Sequence, residues 1–337
     1  MLLNTFNFSK LKDLLATKKK ILLTSHTNPD GDALGSSLAM YHFLILSGHE
    51  VNVIVPTRYP DFLAWMPGQE KILIYEKSKM LCDQLFESSD IIFSLDYNAP
   101  SRLGIASESC KKAKGIKVLI DHHIEPDTDA YNFVFSTTKT SSTSEIVYEF
   151  MQQTNPALIN KTIAECIYTG ILTDTGSFSY ACNYESTFRI VADLYKLGID
   201  GVSINRHVYA TFSENRLRLL GYALSEKLKV ISKYATAYIS LSIDELNRFN
   251  YQVGDTEGLV NYALSIKGIK FAALFTEREN KIRISFRSVG SFSVNSFAAK
   301  HFEGGGHKNA AGGDSFLTMD KTLEKFERLL PEYREQL

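Results

Sequence analysis

Four segments in the first half of the chain limit the fold most: Ile21-Leu22-Leu23-Thr24, Val51 to Val55, Ile91 to Leu95 and Lys117 to Ile120. Each is short and strand-like, and apolar at successive positions, not at every second one. A strand with one solvated face alternates, whereas strands of a parallel sheet covered by helices on both faces do not. Helical patterns separate and follow these runs. Ala33 to Leu46 is one, with Gly48 just past its end where a C-cap belongs, and Ser144 to Met151 and Lys161 to Leu172 are two more. This alternation predicts an open α/β domain with a mainly parallel sheet.

A length of 337 residues fits two domains. The stretch from Tyr184 to about Ser225 reads as helical and carries no motif. After it come strand-like runs at Ala235 to Leu241, Lys270 to Thr276 and Lys281 to Arg287, with helical patterns at Leu259 to Leu264 and Val294 to His301. The expected layout is a first domain over residues 1–195, a helical linker over 196–225 and a smaller α/β domain over 226–337, with an active-site cleft between the two domains.

Composition removes several classes of function. The chain has 37 Lys and Arg against 38 Asp and Glu. It therefore lacks the excess of positive charge needed to hold long nucleic acid by its backbone, though a local pocket could still take a short or mononucleotide anion. The four cysteines have no Cys-x-x-Cys spacing, which argues against thiolate zinc and a disulfide framework and for a reducing compartment. The first twenty residues mix apolar side chains with lysines and do not read as a signal peptide. The longest uncharged stretch, Ala33 to Gly48, is shorter than the roughly 20 residues of a membrane span. A cytoplasmic protein without membrane contact is expected, and a homodimer is compatible with the sequence.

The residues just past the apolar runs carry the chemistry. Ile21–Thr24 leads into Ser25-His26-Thr27-Asn28-Pro29-Asp30-Gly31-Asp32, Ile91–Leu95 into Asp96, and Lys117–Ile120 into Asp121-His122-His123. The apolar segment Ile167–Thr173 leads into Asp174, read here as a fourth strand-like end. Ligands of open α/β sheets bind at the carboxyl edge of the strands, so these residues are expected to converge. One Asp at a strand end is usually a turn former or helix cap, and Asp32 could simply cap the helix after it. Carboxylates gathered at all four ends would repel one another, and bound cations relieve that repulsion. Carboxylate and imidazole donors without thiolate suit Mn²⁺, then Co²⁺ or Mg²⁺. Gly31 is expected to let the backbone turn so that Asp30 and Asp32 face neighbouring ions.

In this order, His26-x-x-x-Asp30-x-Asp32, Asp96, Asp121-His122-His123 and Asp174 resemble the four motifs of the DHH phosphoesterases. The segment Glu303-Gly304-Gly305-Gly306-His307-Lys308-Asn309-Ala310-Ala311-Gly312-Gly313, preceded by Ile284-Ser285-Phe286-Arg287-Ser288, resembles the DHH-associated domain. The resemblance spans most of the chain and is greatest to the branch of nanoRNases and 3′,5′-phosphoadenosine (pAp) phosphatases. It implies two Mn²⁺ ions: one on His26, Asp30 and Asp96, the other on Asp32, Asp96, His122 and Asp174, with Asp96 shared. It implies that His123 lies near the scissile phosphate, and that Arg287, His307 and the Gly305–Gly306 backbone hold the substrate's other phosphate or nucleotide. Asp121 reads as orienting a histidine, with direct ligation the weaker option.

The implied activity is two-metal hydrolysis of short oligoribonucleotides from an end, and of pAp to AMP and phosphate. Hydrolysis of cyclic or linear dinucleotides and exopolyphosphatase action are competing enzyme readings. A non-catalytic nucleotide-binding regulator is the reading from another class, disfavoured by two full sets of metal donors. Three further features read as structural: Ser141-Ser142-Thr143-Ser144 as a helix N-cap cluster, with a phosphate contact the lesser option, Arg102 as an ion-pair partner, and Trp65 as loop packing.

Overall fold

The structure, a computed structural model, describes residues 5–180 and 182–337. Residues 1–4 of the N-terminal stretch lie outside the described residues. Two compact units divide the chain, Met1–Thr211 and Phe212–Leu337.

The first unit is built on a six-stranded sheet in the order β3-β2-β1-β4-β5-β6. Its strands are β1 (Lys20–Thr24), β2 (Glu50–Val55), β3 (Ile72–Ile74), β4 (Ile91–Leu95), β5 (Ile116–Asp121) and β6 (Phe133–Ser136). All neighbours pair in parallel. Its helices are α1 (Thr5–Leu14), α2 (Gly31–Leu46), α3 (Lys79–Ser88), α4 (Ser107–Lys112), α5 (Thr143–Thr154), α6 (Lys161–Asp174), α7 (Glu185–Lys196) and α8 (Gly201–Tyr209).

The unalternated strands have the expected cause. Ile21 and Leu23 of β1 face one apolar core with Val51, Val53, Ile91, Phe93, Val118 and Ile120. Leu22 faces another with Ile54, Ile92, Tyr75 and Phe86. Each fully buried Leu, Ile or Phe contributes about 1.5–3 kcal/mol, so a polar residue at either alternation would be costly. Helix α2 is buried on more than one side because it packs on β1, β2 and β4 and also against α5 and α6.

The sequence expectation for Asp174 needs correction. It does not follow a strand; it is the last residue of α6, the helix that the pattern over Lys161 to Leu172 predicts. Buried Ile167, Ile171 and Leu172 recur at helical spacing on a segment packed against α2, and a short apolar run does not by itself separate a buried helix from a buried strand.

The second unit holds a mixed sheet in the order β11-β12-β10-β9-β8-β7. Its strands are β7 (Leu228–Ile231), β8 (Thr236–Leu241), β9 (Phe271–Arg278), β10 (Lys281–Ser288), β11 (Gly305–Gly306) and β12 (Ala310–Ser315). Its helices are α9 (Glu214–Tyr222), α10 (Ile243–Arg248), α11 (Leu259–Leu264), α12 (Val294–His301) and α13 (Met319–Leu329). Within the stretch 196–225, α8 packs on α6 in the first unit and α9 lies in the second. One face of this sheet carries a phenylalanine core, Phe271, Phe275, Phe286, Phe297, Phe302 and Phe326, and the other an aliphatic core with Leu219, Ile239, Leu259 and Leu274. Among the described residues no helix is long and apolar enough to cross a membrane.

Candidate active site

The strand order of the first sheet reverses at β1 and β4, and the loops leaving these two strands carry His26 and Asp96. Ligands of open parallel sheets bind at such a reversal, beyond the carboxyl ends of the strands. The neighbouring strands end level with each other, Thr24 opposite Ser94 and Leu95 opposite Ile120. Asp96 adopts a left-handed backbone, φ 65°, immediately after β4, and its N–H donates to the Ile120 carbonyl at 3.1 Å. Asp and Asn are the non-glycine residues that adopt this conformation at least cost.

Asp30, not Asp32, is the N-cap of α2; its Oδ1 accepts the N–H groups of Asp32 at 3.0 Å and Ala33 at 3.1 Å. Gly31 is not a sharp turn either. It is the first helical residue, and a Cβ there would collide with the Thr173 side chain of α6. Its smallness serves the approach of α6, which brings Asp174 near Asp32.

The side chains converge. Asp96 Oδ2 lies 3.5 Å from His26 Nε2, and Asp96 Oδ1 lies 3.4 Å from His122 Nε2. His122 Nε2 is also 3.3 Å from Asp174 and 3.9 Å from Asp32. Donor atoms of His26, Asp30 and Asp96 gather within 4.8 Å of one another, as do those of Asp32, His122 and Asp174, so each group could hold a metal ion. His26, Asp32, Asp96, Asp121 and His122 are buried; Asp30 and Asp174 are partly exposed. His123 Nδ1 lies 2.7 Å from Asp121 Oδ1, and its N–H donates to Asp121 Oδ2 at 3.1 Å. Asp121 thus holds the imidazole of His123, not that of His122.

Without cations, these charges regulate one another. Burial pushes the Asp32 carboxyl well up, and the charges of Asp96 and Asp174 push it further. Burial, opposed by His122 and reinforced by Asp30 and Asp96, pushes Asp174 up to about 7. Burial works against ionised Asp96 too, but hydrogen bonds with His122 and His26 outweigh it and hold that carboxyl well below the usual range. Burial likewise disfavours charged His122, yet Asp174 and Asp96 raise it well above an ordinary histidine. Burial lowers His26, but Asp96 and Asp30 raise it overall, against the nearby charge of Arg102. A nest of buried carboxylates that must share protons to coexist is chemically suited to divalent cations, which displace those protons. The donor set fits a cation with oxygen and imidazole preference.

Two contributors were not legible in the sequence. The N–H groups of Thr143 and Ser144, at the start of α5, donate to Asp32 at 2.7 and 2.9 Å, and Thr143 Oγ1 donates to Asp96 Oδ1 at 3.0 Å. The Ser-Ser-Thr-Ser cluster does cap the helix, with Ser142 as N-cap, but nothing in the sequence ties it to acidic residues so far upstream. Trp65 stacks on His207 at 4.8 Å, in keeping with loop packing.

In the second unit, β10 places Arg287 opposite Ala310 of β12, and β11 and β12 form a glycine-rich hairpin around His307. Arg287 Nη1 donates to the Phe286 carbonyl at 3.0 Å, while its buried Nε has no hydrogen-bond partner. The Gly306 N–H donates to Asn295 Oδ1 at 2.7 Å. A Cβ on Gly306 would lie 2.7 Å from the Ala310 carbonyl, and one on Gly313 2.7 Å from that of Phe302. Gly306 serves close backbone packing within the hairpin, and Gly313 the approach of β12 to the end of α12.

Residues 20–171 match the model of the DHH family N-terminal domain, and residues 232–337 match the DHHA1 domain. The chain belongs to the DHH family. It is therefore a phosphoesterase-class enzyme, and metal dependence is a property of that family. This DHH protein is 28% identical over 326 residues to the bifunctional oligoribonuclease and PAP phosphatase NrnA of Thermus thermophilus, covering 96% of this chain and 92% of that one. It is 27% identical over 319 residues to the protein of the same name in Bacillus subtilis, covering 93% and 95%. Its fold matches the crystal structure of an exopolyphosphatase-related protein from Bacteroides fragilis with a TM-score of 0.93, at 43% identity over 99% of this chain and 98% of the other.

Proposed function

We propose that this DHH protein is a manganese-dependent phosphoesterase that hydrolyses short oligoribonucleotides from an end and converts pAp to AMP and phosphate, in the cytoplasm. The observation that carries the reading is the division of Asp96 between two histidines, one oxygen toward His26 and the other toward His122. A carboxylate so placed can serve two ions at once. His26, Asp30 and Asp96 would hold one ion; Asp32, Asp96, His122 and Asp174 the other. Bound there, two Mn²⁺ ions would act as Lewis acids, lowering the pKa of water and offsetting phosphoryl charge.

The remaining work falls to side chains. Asp121 fixes the ring of His123 through Nδ1, and the imidazole so held would give a proton to the departing ribose oxygen. Arg287 offers a planar guanidinium for the substrate's second phosphate, and His307 a further donor. The names of the two bacterial relatives support the substrate choice. Replacing Arg287 or His307 by Ala should lower kcat/KM on pAp and on a diribonucleotide by about tenfold to a hundredfold, the range expected for losing a charge-assisted hydrogen bond. Metal content should stay unchanged, and a small generic phosphoester should be affected less. Loss of bound metal in the His307→Ala protein would make that residue a ligand and overturn the division of roles.

The deciding experiment is a Mn²⁺-supplemented substrate panel of pAp, di- to pentaribonucleotides, RNA of about 30 nucleotides, cyclic dinucleotides, pyrophosphate and polyphosphate. The highest kcat/KM is expected on pAp and RNA of two to about five nucleotides. The near-neutral chain offers no net positive charge to reward a longer strand. pAp should inhibit RNA cleavage competitively. Equal efficiency on the long RNA would contradict the proposal. Polyphosphate as the best substrate would favour the second reading, which the exopolyphosphatase-related structure at 43% identity supports.

A further inference from the structure

We propose that Thr143 is a positioning residue of the metal centre, one that sets Asp32 and Asp96 relative to each other before any ion binds. The inference rests on reading these two aspartates as metal ligands. Thr143 is the first residue of α5, a helix of 12 residues, and it touches both carboxylates by different groups. Its backbone N–H donates to Asp32 Oδ2 at 2.7 Å, and its hydroxyl donates to Asp96 Oδ1 at 3.0 Å. The N–H of Ser144 takes the other oxygen of Asp32 at 2.9 Å. Both oxygens of Asp32 are thereby tied, and the positive end of the helix dipole favours its negative charge.

Thr143 is itself held from below. Ser142 accepts the Glu145 N–H at 3.3 Å, and Glu145 in turn accepts from the Ser141 N–H at 3.1 Å and from Thr187 Oγ1 at 2.7 Å. Thr140 Oγ1 donates to the Ser142 carbonyl at 3.3 Å. All of these residues are buried. A β-branched side chain at position 143 adds a stiff χ1, which keeps the hydroxyl aimed at Asp96. Since its one proton already goes to Asp96, Thr143 is not a phosphate donor. Groups that orient metal ligands from behind typically change metal affinity by about 10–100-fold when removed.

The test is calorimetric titration of the metal-free full-length protein with Mn²⁺, without substrate, for wild type, Thr143→Val and Thr143→Ser, alongside thermal unfolding of each metal-free form. Thr143→Val, which keeps shape and loses the hydroxyl, should bind Mn²⁺ about 10–100-fold more weakly at an unchanged unfolding midpoint. Thr143→Ser should bind close to the wild type, because it restores the donor. Thr143→Ala, which cannot overpack, serves if the valine protein does not fold. Wild-type affinity in the hydroxyl-less variants overturns the inference and leaves the ligand reading standing. A loss in Thr143→Ser as large as in Thr143→Val, or one matched by a fall in unfolding midpoint, also overturns it. Failure of the wild type to take up any divalent cation overturns the ligand reading beneath it.

Discussion

Asp96→Ala should lower turnover on every substrate by about three orders of magnitude or more, because it removes a carboxylate that faces both histidine groups at once. Chelation of the wild type should have the same effect, reversed best by Mn²⁺. Alanine changes the backbone as well as the charge, since φ at this position is 65°. Asp96→Asn isolates the charge: asparagine tolerates the left-handed conformation and has the same shape. Both variants should be nearly inactive and should bind less than the wild-type complement of metal, measured by elemental analysis after dialysis. The neighbouring carboxylates lose a repulsive partner while His26 and His122 lose an attractive one, so the unfolding midpoint is measured beside activity. An Asp96→Asn protein with near-normal turnover would remove the basis for a shared ligand and leave at most one working ion.

Gly35→Ala should destabilise the protein by up to about 2 kcal/mol net and cut activity together with metal affinity. Where α2 crosses α6, a Cβ on Gly35 would lie 2.7 Å from the Cys166 carbonyl and 2.9 Å from the Gly170 nitrogen. Those are backbone atoms, which move only if the whole helix moves. Alanine raises helix propensity by about 1 kcal/mol over glycine, so the crowding must exceed that gain, and overpacking of this kind costs about 1–3 kcal/mol. Displacing α6 carries Asp174 away from His122, 3.3 Å distant, so metal affinity should fall along with the unfolding midpoint. Gly170 faces the same constraint from the other helix, because its Cβ would meet Ser144 Oγ and come within 2.7 Å of Asp32 Oδ1. A rise in unfolding midpoint for Gly35→Ala would show that propensity wins and that the crossing has room to spare.

The sheet and the gathering of the acidic and imidazole residues were legible because both arise from local signals. Parallel strands buried on two faces write unbroken apolar runs, and the residues just past their ends must share one edge of the sheet. Ile91–Leu95 followed by Asp96 needs nothing more. The helix over Lys161 to Leu172 was legible, but its end was also read as a strand-like run because the apolar length of Ile167–Leu172 suits a buried strand as well as a buried helix. Strand β12 was not legible as a strand at all. Ala310-Ala-Gly-Gly-Asp-Ser contains no β-branched or aromatic residue, and it is extended because it pairs with β10 and β11, not through its own preference. The role of Thr143 was out of reach for a different reason. Its partner Asp32 lies 111 residues upstream, and a hydrogen bond to a backbone N–H leaves no mark on residue identity.

The pairing of α2 with α6 also has a bearing on synthesis at the ribosome. Strand β1 and helix α2 emerge early, yet the apolar surface of α2 that α6 covers has no partner until residue 174 has left the exit tunnel. At translation speeds of about 5–20 residues per second, that interval is on the order of ten seconds. During it, part of a helix whose apolar side chains are buried in the finished unit stands uncovered, the kind of transiently exposed surface that favours aggregation. The same delay bears on the site. On the proposed two-metal reading, a half-made chain holds His26, Asp30, Asp32, Asp96 and His122 but lacks Asp174, so its metal centre would stay incomplete until α6 has formed.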